Sequence, residues 1–142
     1  VTIPSLEEVR MSTTIDAAVE KLFTDPNYAV VSTVAPDGSV HSAVVWADIL
    51  EGKVAVNSAV GRVWPNNLEG NPTISVTVYD KDNPYDYVEV RGTAQARLEG
   101  ADDHIDRLAK KYLDADSYPF RQDGEVRITY LIEADRVRHQ KQ

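Results

Sequence analysis

The chain has 142 residues, a length that fits one compact domain, with 42% apolar and 27% charged side chains, a globular balance rather than a disordered one. Acidic residues outnumber basic ones 23 to 15 for a net charge of -8, so the overall field repels phosphate and argues against nucleic acid or an anionic membrane as partner. There is no cysteine, which excludes disulfide scaffolds, thiolate metal sites and cysteine nucleophiles.

No apolar run approaches the length of a membrane span, and Val1-Thr2-Ile3-Pro4 has neither the basic nor the apolar region of a secretion signal. The expectation is a soluble cytoplasmic protein in which residues 1–142 form one domain. Ile15, Ala18, Val19, Leu22 and Phe23 recur at the spacing of one helical face, with Thr13 or Thr14 as cap and Asp25-Pro26 as stop. The period then changes. Tyr28 to Val34 is rich in β-branched residues and predicts a strand, and Ala35-Pro36-Asp37-Gly38 predicts a turn, because proline presets its own φ and glycine tolerates positive φ.

A second strand over Ser39–Asp48 places Val40, Ser42, Val44 and Trp46 on one face, and a turn at Glu51-Gly52 leads to a third over Lys53–Ser58. Further strands are expected over Thr73–Tyr79, Tyr87–Leu98 and Glu125–Ile132, the last with Val126, Ile128, Tyr130 and Ile132 alternating toward a core. A short helix begins near Pro65, and another carries Ile105, Leu108, Ala109 and Tyr112 on one face. Six strands in so short a chain form a sandwich or a small barrel; closure removes exposed edges and favours the barrel, but periodicity does not choose.

Catalytic side chains are hard to find. His41, His104 and His139 show no ligand spacing and read as solvent-facing, so no metal site is expected, and nothing resembles a nucleophile elbow. Asp102, Asp103 and Asp106 sit at a helix start, where carboxylates meet the positive end of the dipole. Between Asn57 and Leu68 a strand runs into Gly61, Arg62 and a helix start, a pattern that suits an anion: backbone N–H groups and a guanidinium converge there.

Taken in order, several segments carry a more specific signal: Asp25 to Val34, Pro36-Asp37-Gly38-Ser39, Ser42 to Trp46, Asn57-Ser58, Gly61-Arg62 with Asn67-Leu68, and Asn83 to Gly92. Their succession resembles the flavin and deazaflavin split-barrel family, which includes the pyridoxamine 5'-phosphate oxidase relatives. Within it the chain is most similar to the small coenzyme F420-dependent oxidoreductases. The resemblance implies a mainly β, six-stranded antiparallel split barrel with flanking helices, paired as a homodimer with the cofactor groove at the subunit boundary. It implies F420 as cofactor, with FMN the alternative, and a planar small molecule as substrate. No catalytic side chain is then required, because the cofactor carries the hydride.

By the same resemblance Ser42, Val44, Trp46 and Asn57 lie under the ring, Ser58 also binds the cofactor, and Gly61, Arg62, Trp64, Asn66 and Asn67 lie along the phosphate-bearing arm. Tyr85, Tyr87, Tyr118 and Phe120 wall the substrate side, from the same or the partner subunit. Family members usually carry a lysine where this chain has Trp64 and an arginine where it has Asn66, so only Arg62 of those cations remains. Arg91, Arg121, Arg127 and the basic residues of the tail are candidates to compensate. On that reading Trp64→Lys strengthens binding of an anionic cofactor. A binding protein that holds a flavin-like or tetrapyrrole ligand without turnover is the alternative outside enzymes.

Overall fold

The computed structural model describes residues 9–141. In chain order the elements are β1 (Val9–Ser12), α1 (Ala17–Thr24), β2 (Ala29–Val34), β3 (Val40–Val45), β4 (Ala47–Leu50) and β5 (Lys53–Ala59). They are followed by α2 (Val63–Gly70), β6 (Thr73–Asp80), β7 (Asn83–Arg97), α3 (Ala101–Leu113) and β8 (Arg127–Gln140). The strands form one antiparallel sheet in the order β3-β2-β6-β7-β8-β5-β4, with β1 added on β8. The two ends of this order, β3 and β4, are separated in the chain by Trp46 alone. One residue cannot span an open sheet, so the sheet curls until its edges meet. That makes a split barrel, mainly β and flanked by three helices.

Eight strands are present among the described residues, where periodicity predicted six. The expected strand over 39–48 is two strands, because the chain turns the barrel corner at Trp46. The last strand continues past Ile132 to Gln140, and β1 was not anticipated from its four residues. Asp16, not Thr13 or Thr14, caps α1, its Oδ1 accepting from the N–H of Val19 at 3.0 Å. The stop at Asp25 and the turn at Gly38 (φ +85°) are as predicted.

The interior is apolar: Phe23 and Leu22 of α1, Trp64 and Leu68 of α2, and Val31, Val56, Ile74, Val76, Val90 and Ile132 of the sheet pack together. Alternation in the last strand tells only half of its story. Ile128, Tyr130 and Ile132 do face the core, but Val126 precedes β8 and is exposed, while Arg127, Thr129 and Leu131 are buried on the opposite face. That second face is covered by α3, which packs on β5 and β8 through Ile105, Leu108 and Ala109. Ile105 and Leu108 each contribute about 1.5–3 kcal/mol of burial. A strand buried on both faces loses its polar–apolar signature.

Elsewhere the outer face is open. In the β2–β3 ladder Val30 pairs with Val44, Ser32 with Ser42 and Val34 with Val40. Val40 and Val44 are 68% and 71% exposed.

Candidate functional site

A cleft of about 460 Å³ opens where the sheet edges meet. It lies within the size range of small-molecule sites. Its walls come from β3 and the corner (His41, Val44, Val45, Trp46), from β5 (Asn57, Ser58), and from the start of α2 (Arg62, Val63, Trp64). Ile105 and Leu108 of α3, Tyr118 and Phe120 of the loop after it, Tyr28 and Arg127 complete them.

One side is an aromatic row. Trp46 stacks on Tyr112 with ring centroids 5.4 Å apart and meets Tyr118 edge-on at 6.0 Å; Tyr118 meets Phe120 edge-on at 5.8 Å. Tyr112 anchors the row, donating its hydroxyl to the carbonyl of Asn27 at 2.6 Å, and burial pushes that hydroxyl up to about 12. The neighbouring ammonium of Lys111 lies over the Tyr112 ring and donates to the carbonyls of Phe23 and Ala47; burial lowers it to about 8. The loop with Tyr118 and Phe120 is pinned by the acidic face of α3. Asp106 accepts from the N–H of Tyr118 at 2.9 Å, and Arg121 bridges Asp102 and Asp106 at 2.6 and 2.8 Å. These carboxylates are therefore structural clamps for the wall of the cleft.

Behind the cleft runs a buried polar chain. The Nε of Arg127 donates to Asn57 Oδ1 at 3.0 Å, and Asn57 Nδ2 donates to the carbonyl of Ala101 at 3.0 Å. Both neighbours have fixed roles, one only a donor and the other only an acceptor, so the amide orientation is determined. Asn57 Nδ2 also faces His104 Nδ1 at 3.1 Å. Thr129 Oγ1 also lies 2.9 Å from that nitrogen, and on the other side of the ring Nε2 donates to the Asp48 carboxylate at 2.9 Å. Arg107 binds the other oxygen of Asp48 at 2.8 Å. His104 and His139 are thus buried, the latter on Asp86 at 2.8 Å, which overturns the solvent-facing reading of both. His41 is half-buried on the cleft wall.

Burial alone would raise the carboxyl of Asp48, but the hydrogen bonds and electrostatic pull of His104 and then of Arg107 outweigh it and hold it below the usual range. A depressed folded pKa stabilises the protein above the unfolded value, and that contribution is lost as pH falls through the folded one. The stability gap between the parent and Asp48→Asn should therefore be widest near pH 7 and shrink below about pH 4. Urea titrations of both proteins across that range check it. A gap that stays constant with pH would remove the charge from the explanation.

The structure brings Val44, Trp46, Asn57, Ser58, Arg62, Trp64, Tyr118 and Phe120 to one cleft. Ser42 lies on the open β2–β3 face, bonded to Ser32 at 2.8 Å. Gly61 and Asn66 sit beside the start of α2, where Asn66 Nδ2 donates to the Gly61 carbonyl at 3.2 Å, and buried Asn67 donates to Thr33 at 3.1 Å. Tyr85 and Tyr87 are on the β6–β7 hairpin and do not line this cleft; Tyr87 donates to Gln140 at 2.9 Å. Trp64 is 6% exposed and packs on Tyr130 at 5.4 Å, so its indole is part of the core even though it also lines the cleft. Sequence reasoning missed Tyr28, His41, Ile105, Leu108 and the placement of Arg127. Only the helical periodicity of Ile105 and Leu108 hinted at burial, and nothing in it said against what.

Comparison with known proteins is decisive for the family. Residues 15–141 match the family model described as pyridoxamine 5'-phosphate oxidase. The chain belongs to that family. Its split barrel, a fold that binds flavins in this family, is shared with solved members and neighbours at modest identity, and the family includes oxidoreductases. An F420 reductase is 25% identical, with a TM-score of 0.73 over 83% of this chain and 94% of the other. A conserved hypothetical protein of Mycobacterium tuberculosis is 19% identical, with a TM-score of 0.73 over 98% of this chain and 90% of the other. General stress protein 26 of Bacillus anthracis is 20% identical, with a TM-score of 0.64 over 84% and 88%. No curated protein sequence matches. Among the described residues no helix is long and apolar enough to cross a membrane.

Proposed function

We propose that this family member is an F420-dependent oxidoreductase that transfers a hydride between the deazaflavin and a planar conjugated or heteroaromatic small molecule. The observation that carries the reading is the cleft itself: an aromatic wall leads to a half-exposed guanidinium beside a helix start. The likeness to an F420 reductase supports it. The donor set fits an elongated ligand with a flat ring and an anionic arm. Trp46, Tyr118 and Val44 would hold the ring, and Arg62 with the N–H groups at the start of α2 the phosphate. When bound, such a cofactor supplies the hydride chemistry. The chain binds it, orients the acceptor against it and excludes water.

FMN is the second reading, and the charge count favours it. Arg62 already shares Glu125 with Arg127, at 3.0 and 2.9 Å, which suits one phosphate better than a polyanionic tail. Titration with F420 and with FMN at matched ionic strength separates the two, and binding without any turnover would instead indicate a ligand-holding protein. Arg62→Ala should weaken either phosphate-bearing cofactor about tenfold or more, the worth of one charge-assisted hydrogen bond, while leaving the melting temperature nearly unchanged. A large loss of stability at unchanged affinity would make Arg62 structural.

The same reading pairs two copies of the chain. The valine and serine face of β2–β3 is the surface for a second copy, and Tyr85 and Tyr87 reach a cleft only from the partner subunit. Sedimentation at micromolar concentration should give twice the 15.8 kDa of the chain, and Val44→Glu should reduce it to one copy. A monomer in the parent protein would sink the pairing.

A further inference from the structure

We propose that Arg127 reads the edge of the bound ring, its Nη2 donating to an electron-rich ring oxygen of the planar ligand. The inference rests on the cofactor reading above and assigns a recognition donor within it. Arg127 opens β8 opposite Ala59 of β5. Its side chain is only 3% exposed, yet it lines the cleft. A guanidinium carries five N–H donors. Nε is taken by Asn57 and Nη1 by Glu125, while the ring of Tyr118 lies 5.0 Å from the guanidinium carbon. No oxygen among the described residues accepts from Nη2.

Among the described residues no side-chain polar atom shut inside the protein lacks a partner. The Nη2 of Arg127 is therefore open to the cleft. Its direction is also fixed, because the planar fork is held at Nε, at Nη1 and by the Tyr118 ring. The local charge agrees: two guanidiniums, Arg62 and Arg127, face the single carboxylate of Glu125. A charge-assisted bond to an electron-rich oxygen is about twice as strong as a neutral one. Two kinds of oxygen have that chemistry, one on a ring edge and one on a phosphate. The aromatic contact of Arg127 places it with the ring, whereas the half-exposed Arg62 stands at the α2 start with the phosphate.

The two sources are separated by probes that share a ring and differ in the phosphate: FMN against riboflavin, and F420 against its phosphate-free deazaflavin riboside. The variants are Arg127→Lys, which keeps the charge but loses the fork, and Arg127→Gln combined with Glu125→Gln, which leaves no carboxylate buried without its cation. Affinity is read by fluorescence titration and folding by thermal melting. Both variants are expected to weaken the phosphate-free and the phosphate-bearing ligand alike, tenfold or more, whereas Arg62→Ala weakens only the latter. Parent-like affinity for the phosphate-free ring in a folded variant overturns the proposal, as does a loss confined to the phosphate-bearing ligand. Should the double variant not fold, Arg127→Lys carries the same outcomes. If the parent protein binds none of the four probes, the cofactor reading itself fails and this assignment with it; the other adverse results leave that reading standing.

Discussion

Gly92→Ala is expected to cost at least about 3 kcal/mol, the upper range for forcing a methyl into packed structure, and to lower the melting temperature by about 10 °C. The β7–β8 ladder shifts register between Arg91 and Gly92, where Arg91 faces Arg136 but Gly92 faces Ala134, leaving Asp135 as the extra residue of a bulge. An added Cβ at position 92 would stand 1.9 Å from the carbonyl oxygen of Glu133 and 3.0 Å from the Cα of Ala134. Both are backbone atoms of the neighbouring strand, so relief requires parting the ladder and not merely turning a side chain. Gly70→Ala is the control, since nothing lies within 4 Å of its added Cβ. That change should stay within about 1 kcal/mol of the parent. Equal melting temperatures for the two variants would mean that β7 and β8 do not approach as described.

Trp64→Lys should destabilise the fold by about 3–5 kcal/mol, the range for losing a buried indole, and should weaken cofactor binding. This reverses what the family resemblance suggested for a restored cation. The indole is 6% exposed, lies against Tyr130 and belongs to the core cluster with Leu68. An ammonium placed there gives up hydration, and its stem fills less of the space. Chemical denaturation gives the stability, and titration with F420 and FMN gives the affinity. A stable variant that binds the anionic cofactor more tightly would show that the chain at position 64 reaches the phosphate-bearing arm after all.

The two substitutions mark where sequence reasoning works and where it stops. Local signals are short-ranged and survive intact: Asp25-Pro26 ends α1, Pro36-Asp37-Gly38 turns the chain, and Glu51-Gly52 turns it again with φ of +54° and +77°. The ordered segments from Asp25 to Gly92 were enough to point to the family and its barrel. The corner at Trp46 left no such mark, because a strand that changes edges keeps its β-branched composition on both sides. Nor did the double burial of β8, since the cover that α3 lays over Thr129 and Leu131 arises from elements distant in the chain.

The site divides in the same way. Asn57, Arg62, Tyr118 and Phe120 could be named from the sequence, yet their partners could not. Asn57 is spoken for on both sides of its amide, by Arg127 and by the start of α3, so it positions those elements. His104, an isolated histidine in the chain, becomes the link between that amide and Asp48 only because β4, β5 and α3 converge.

From the sequence alone came the family, the barrel class, the helices with the stop at Asp25, the turns, and the residue types suited to a flat anionic ligand, all of them properties that neighbours in the chain or their order can encode. Only the tertiary structure decided which side of each strand is covered, that Trp64 belongs to the core, and that Arg127 keeps one free edge toward the cleft. Burial and hydrogen-bond saturation depend on residues separated by dozens of positions, and no local pattern records which of them will meet.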